Sequence, residues 1–193
     1  MTKLFKLALL FIIFSLTGCA SYYRAIGPEK INYPPTINVE KVALSYRYDV
    51  LRDAGNKKFV NNEFKRNMKV VAVKLINNSD TTINISKNLS FYSGSSKILL
   101  LNPYDIKMQI KQSAPSYALY LIGCISLAPL DIAVFGGIGV GNIIIANTAN
   151  KNLLKELERY DITNKELKKG ESIIGIIGFE ALHSDPLTVK FND

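Results

Sequence analysis

Few side chains in this chain of 193 residues could carry chemistry: two cysteines, one histidine and 16 carboxylates. His183 is followed by Ser184 and Asp185, the residue types of a hydrolase triad. Three consecutive residues cannot converge as nucleophile, base and orienter, which must come from separate elements. An Asp before Pro186, between two apolar segments, reads better as a turn. A zinc site would lack ligands, with one His and one spare Cys, Cys124, whose apolar surroundings suit a buried thiol. Ile132 to Gly141 is glycine-rich in the manner of a dinucleotide loop. Its spacing is not G-x-G-x-x-G, and Glu156 and Glu158, about twenty residues on, fall in an amphipathic pattern rather than at a strand end. Two carboxylates for glycoside hydrolysis could meet from distant strands, but no pair stands out. The expectation is a protein that is not an enzyme and has no cofactor and no metal.

Cys19 is different because of what precedes it. Lys3 and Lys6 form a short basic region, and Leu7 to Phe14 is an unbroken apolar run. That run is too short to span a bilayer and has the size of a signal h-region. Leu16-Thr17-Gly18-Cys19 follows, with a small residue before the cut and a thiol to act as nucleophile. This stretch resembles the lipobox of bacterial lipoproteins. The resemblance implies that a peptidase reads Leu16, Thr17 and Gly18, that residues 1–18 are removed, and that Cys19 carries diacylglycerol and acyl chains such as palmitate. Each buried methylene contributes about 0.8 kcal/mol, so two or three chains hold a protein firmly. Ala20, where an Asp would favour the inner membrane, resembles the sorting pattern for the outer membrane. The absence of an acidic cluster after Cys19 points toward the periplasm, with the inner membrane as the alternative location.

The chain has 24 basic and 16 acidic residues. In an exported, anchored protein such a balance suits a phospholipid or lipopolysaccharide surface rather than nucleic acid. A scattered basic surface without a ligand is the plainer account, since the basics recur only in pairs at Lys57-Lys58, Lys65-Arg66 and Lys168-Lys169.

The elements that would position these residues are mostly strands. Ala20 to Pro35 has Gly27-Pro28, Pro34-Pro35 and no period, and reads as a tether able to reach about 50 Å fully extended. Val42, Leu44, Tyr46, Tyr48 and Val50 alternate with polar or small residues, as on a half-buried strand. Met68 to Ile76 is more continuously apolar, as a central strand would be. Arg52 to Lys58 is turn-like. Thr82 to Ser86, Leu89 to Tyr92, Lys97 to Leu101 and the alternating Tyr104 to Lys111 are further strands. Ser172 to Phe179 and Leu187 to Phe191 close the chain. Short strands divided by turns predict a mostly β fold, an antiparallel β-sandwich. The pattern, with its Asn-rich turn at Asn77 to Asp80, resembles the immunoglobulin-like domains of small extracytoplasmic lipoproteins, a resemblance of fold rather than function.

One segment departs from this pattern. Between Lys111 and Lys151 the only charged residue is Asp131. Tyr117 to Leu130 and Ile132 to Ala146 are apolar runs, and roughly 148–160 follows as an amphipathic helix through Leu153, Leu154, Leu157 and Tyr160. The apolar part, 114–146, has three readings: a membrane span, a helical hairpin turning at Pro129-Leu130-Asp131, or a partner or self-assembly surface. The first would place Pro129 and Asp131 mid-membrane at a cost of several kcal/mol. The third draws on Gly137 to Gly141, which fits GxxxG. Tyr117, Leu121, Leu127, Phe135, Ile138 and Ile144 are the candidate membrane or partner contacts.

The organisation expected is a signal peptide over 1–18, a lipidated Cys19 with its tether over 19–35, and one sandwich domain over 36–193. That domain carries the apolar and helical insertion 114–160. The function expected is a non-enzymatic interaction or structural module of the cell envelope, touching the bilayer through acylated Cys19 and an envelope protein complex through the insertion. The alternative is a carrier or sensor of an apolar ligand such as lipid. The oligomeric state stays open.

Overall fold

The computed structural model of the chain describes residues 20–34, 37–39, 41–113 and 129–192. The described residues are mixed rather than mostly β, at 35% helical and 30% strand. It divides into two units, one made of 24–111 and 151–193, the other of 112–150 with the described part of 1–23.

The larger unit is built on antiparallel sheets. β1 (Ile37–Val39), β2 (Val42–Arg47), β3 (Met68–Asn77) and β8 (Ser172–Glu180) form a four-stranded sheet in the order β1-β2-β3-β8. β6 (Ser96–Ile98), β5 (Leu89–Ser93) and β9 (Leu187–Phe191) form a three-stranded sheet, and β4 (Ile83–Asn84) pairs with β7 (Glu166–Leu167). Period-two alternation explains how both larger sheets feed one core: Leu44, Val73 and Leu75 from the first sheet are buried with Phe91, Leu187 and Val189 from the second.

β3 is buried on both faces, which is why it reads as an apolar run. Its other face, with Val70 and Ala72, is covered by helices. α2 (Lys57–Lys65) contributes Phe59, and α4 (Pro103–Ile110) contributes Ile106 and Ile110, all buried. β8 lacks side chains at two points of close approach, Gly178 toward α4 and Gly175 toward the core. A Cβ at Gly178 would come within 2.5 Å of Ile106, and one at Gly175 would collide with Ile162. The outer edge of β8 is occupied: Leu101 N–H donates to the Gly178 carbonyl at 2.8 Å, and Ile176 N–H to that of Tyr160 at 2.9 Å. An edge so covered offers no row of free amides for another chain.

Several expectations are corrected. Tyr104 to Lys111 is helix α4, not a strand. Residues 104, 106, 108 and 110 satisfy period two and also pair as i, i+4, burying Ile106 with Ile110 while Tyr104 and Met108 stay exposed. The start signal decides: Asn102 caps the helix by accepting from Asp105 N–H at 2.9 Å, and Pro103 takes the first turn. Arg52 to Lys58, read as a turn, spans parts of α1 (Val50–Asp53) and α2. The strand read through Val50 stops at Arg47, and Asp49 turns the chain with φ of 58°. Thr82 to Ser86 is strand only at β4, then winds into the single turn α3 (Ile85–Asn88), capped by Asn84.

The insertion differs too. Pro129 to Arg159 is one helix of 31 residues, α5, which joins the second apolar run to the amphipathic segment. Pro129 opens it, where the missing N–H costs nothing, and the expected turn at 129–131 is the helix's first turn. Of the first apolar run, 117–130, residues 117–128 lie outside the described residues. Among the described residues no helix is long and apolar enough to cross a membrane.

Candidate functional site

The residues following Cys19 are held by a set of buried polar side chains. In the smaller unit, Ala20 N–H donates to Asn142 Oδ1 at 2.8 Å. Ser21 is held on both sides of its backbone by one side chain: its N–H donates to Gln112 Oε1 at 3.0 Å and its carbonyl accepts from Gln112 Nε2 at 2.8 Å. Gln112 is fixed in turn, since its own N–H donates to Asn150 Oδ1 at 2.8 Å and its carbonyl accepts from Asn150 Nδ2 at 2.9 Å. A primary amide offers an acceptor and two donors in one plane, so it can pair with a backbone as a neighbouring strand would. Gln112, Asn142 and Asn150 are all buried, which makes these bonds costly to leave unmade.

Helix geometry places two of these groups. Gly139, Asn142, Ala146, Ala149 and Asn150 recur at three- and four-residue steps and form the buried face of α5 in this unit. Small residues on that face leave room for an extended backbone. The opposite face is exposed, with Val140 at 49% and Ile144 at 59% of full exposure, followed by the exposed Asn147 and Thr148.

In the larger unit the same device continues along the chain. Buried Asn56 accepts from Arg24 N–H at 2.9 Å and donates to the Arg24 carbonyl at 2.7 Å. The Glu156 carboxylate accepts from Ile26 N–H at 3.0 Å and from Gly27 N–H at 2.8 Å, one oxygen to each. Hydrogen bonds to a charged acceptor are roughly twice as strong as neutral ones. Gly27, with φ of 59°, turns the chain into a short 3-10 turn, Pro28–Lys30, and Pro28 is buried. Tyr33 donates its hydroxyl to the Pro28 carbonyl at 3.0 Å, and burial pushes that phenol up to about 12. The stretch read as a free tether is therefore fastened: at Ala20 and Ser21 in one unit, and from Arg24 to Pro28 in the other.

Cys19, with Leu16, Thr17 and Gly18, lies outside the described residues, as do Tyr117, Leu121, Leu127 and Cys124. Phe135 and Ile138 fall on α5, and Ile144 is exposed on it. The glycine run 136–141 sits inside the helix rather than at a strand-to-helix turn, so it is no phosphate loop. A Cβ added at Gly141 would meet open space, so no close approach depends on that glycine. His183, Ser184 and Asp185 are exposed in a turn, tied down where Tyr48 donates to the Asp185 carbonyl at 2.7 Å. Beside that turn lies an open cleft of about 480 Å³, bordered by Lys97, Leu99, Leu101, Glu180, Leu182 and His183. Among the described residues no group of three His, Cys, Asp or Glu could hold a metal ion.

Sequence reasoning missed the five fastening side chains: Asn56, Gln112, Asn142, Asn150 and Glu156. One signal was present for two of them. Asn142 and Asn150 interrupt a region almost without charge, and a polar residue on a buried helix face needs a partner. No protein-family model, curated protein or solved structure matches this chain.

Proposed function

We propose that this chain is a lipid-anchored envelope protein, not an enzyme, which serves as an interaction or structural module held at the outer membrane. The observation that carries the proposal is Leu16-Thr17-Gly18-Cys19 following a basic and then an apolar segment. Acylation at Cys19 supplies the bilayer attachment, and Ala20 at the next position favours the outer membrane, facing the periplasm. The fastening of Ala20 and Ser21 supports a close mounting rather than a long leash. Two antiparallel sheets sharing one core are compatible with an immunoglobulin-like sandwich as the body of the module. An envelope protein complex is its expected partner.

The test is Cys19→Ala in a cell fed a clickable fatty acid. The parent chain is expected to incorporate the label and fractionate with the outer membrane, and the variant to lose both properties. An unlabelled parent, or a variant still held in the outer membrane, overturns the proposal. The cleft beside Leu99 and Leu182 favours a second reading, a carrier of an apolar ligand. A lipid mass retained by the unacylated protein in native mass spectrometry would decide for that reading.

A further inference from the structure

We infer that the outer face of α2 and α4 is a docking surface for anionic phospholipid, such as a bilayer rich in phosphatidylglycerol. The inference concerns the folded body of the larger unit and does not depend on acylation at Cys19.

The two helices pack beside one another over β3, and Asn62 joins them. Its Nδ2 donates to the carbonyls of Ile110 at 3.0 Å and Lys111 at 2.8 Å. Each helix buries one stripe, Phe59 and Glu63 from α2 and Ile106 and Ile110 from α4, so the opposite stripe faces outward. On α2 that stripe is Lys57, Asn61, Phe64 and Lys65, with Arg66 at the C-cap, and all are exposed. On α4 it is Tyr104, Met108 and Lys111, spaced i, i+4 and i+7, with Lys107 beside them. Among the described residues the larger unit exposes Phe64, Leu99, Tyr104, Met108 and Leu182 as large apolar side chains. Three of these stand on the two helices, and Phe64 is 81% exposed.

The charge offered by this face is of one sign. Among the described residues no salt bridge engages Lys57, Lys65, Arg66, Lys107 or Lys111, whereas Arg47, Arg52 and Lys169 elsewhere do meet carboxylates. The acids of the two helices are Glu63, which is buried, and Asp105, whose Oδ2 accepts from Asn102 Nδ2 at 2.6 Å. In place of anions, two ammonium groups rest on apolar neighbours. Lys107 Nζ lies 5.0 Å from the centre of the Tyr104 ring and 3.8 Å from Met108 Sδ. Lys111 Nζ lies 3.6 Å from the same sulfur.

This interleaving of cations with apolar groups decides which partner fits. The centre of a protein–protein contact is depleted of charge. Another protein covering Tyr104 and Met108 would bury the ammonium groups beside them, which is costly unless each meets a carboxylate. A bilayer surface separates the two needs by depth. Lysine stems can lie along the apolar side chains while their ammonium groups reach the phosphates, and the apolar tips enter the acyl-chain boundary. Anionic headgroups strengthen such binding by about fivefold for each nearby Lys or Arg.

The chain contains no tryptophan, so a single introduced indole reports its own surroundings. Phe64→Trp and Met108→Trp are compared with Thr82→Trp, an exposed site that follows the end of β3 remote from α2. The protein, as the producing cell processes it, is mixed with phosphatidylcholine vesicles, with and without phosphatidylglycerol, in which the acyl chains carry bromine. Far-ultraviolet circular dichroism matched to the parent checks the fold. On vesicles containing phosphatidylglycerol, the indoles at 64 and 108 are expected to be quenched severalfold more than the one at 82. That excess is expected to vanish on pure phosphatidylcholine, and in about 1 M salt, where charges are screened beyond about 3 Å. Lys65→Gln combined with Lys111→Gln, both at exposed sites, is expected to reduce it in the same way. Equal quenching at the three sites, or quenching at 64 and 108 that ignores phosphatidylglycerol, overturns the inference. Protection of 64 and 108 from both bromine and aqueous iodide also overturns it, in favour of a protein partner or a second copy. Flotation with pure phosphatidylcholine reports the acyl anchor alone, so its loss would remove the anchor and leave the anionic contact to stand or fall on the quenching.

Discussion

At the scale of single residues, Glu63 carries a cost that depends on pH. It lies buried in α2, with Oε1 accepting Val70 N–H at 2.7 Å. Burial pushes its carboxyl from 4.5 up to about 7, against the opposing pull of the Val70 hydrogen bond and the Lys69 charge. The folded chain therefore keeps a proton, between about pH 4.5 and 7, that the unfolded chain has released. Stability from this group is fully present below pH 4.5 and is lost as pH rises through 7, by at most about 3 kcal/mol. Glu63→Gln keeps an acceptor for Val70 and never ionises. Its urea midpoint is expected to exceed the parent's at pH 8 and to converge on it toward pH 4.5. A constant difference across that window would show that Glu63 stays ionised when folded. Nothing in the sequence marks Glu63, because its partner is a backbone amide and its neighbours Lys65 and Arg66 advertise a solvated surface.

At the scale of elements, the segment from Arg24 to Lys30 is held by side chains more than by a ladder of its own. Asn56→Ala removes both bonds to Arg24, and each neutral hydrogen bond is worth about 1 kcal/mol. Trypsin is expected to cut after Arg24 faster in this variant, with the melting temperature of the sheets little changed. Equal cleavage rates would mean that Glu156 and buried Pro28 suffice to hold the segment. This fastening was illegible in the sequence for a physical reason: partners as far apart as Ala20 and Asn142, 122 residues, leave no periodic trace. Several strands were legible as an alternating or apolar run closed by a turn, and Leu187 to Phe191 was read to the residue. Helix α4 was not, since 104 to 110 fits both periods and only Asn102-Pro103 separates them. α2 was missed because, of its nine residues, only Phe59 and Glu63 are buried, too few to show a face.

At the scale of the whole molecule, the larger unit depends on β8 having room on both sides. Ile177 and Phe179 enter the core between the sheets, while Gly178 lets α4 lie close against the other face. Gly178→Ala must displace Ile106, an overpacking that typically costs about 1–3 kcal/mol. A lower midpoint in chemical denaturation with an unchanged slope is the expected result, and an unchanged midpoint would show that α4 can shift freely. Sequence alone placed β8 but could not give its two glycines this role, because the requirement comes from Ile106 on α4 and from Ile162 beyond α5, both distant in the chain. The fastened N-terminal segment also bears on how a water-soluble version of the protein should be cut. A version starting at Ala20 keeps every partner of Asn56 and Glu156 described above. One starting at Pro35 strips the Arg24, Ile26 and Gly27 backbone from them and bares the surface where Pro28 was buried. The conventional removal of everything before the first strand would thus create a sticky, destabilised protein, and its misbehaviour would be mistaken for a property of the native one.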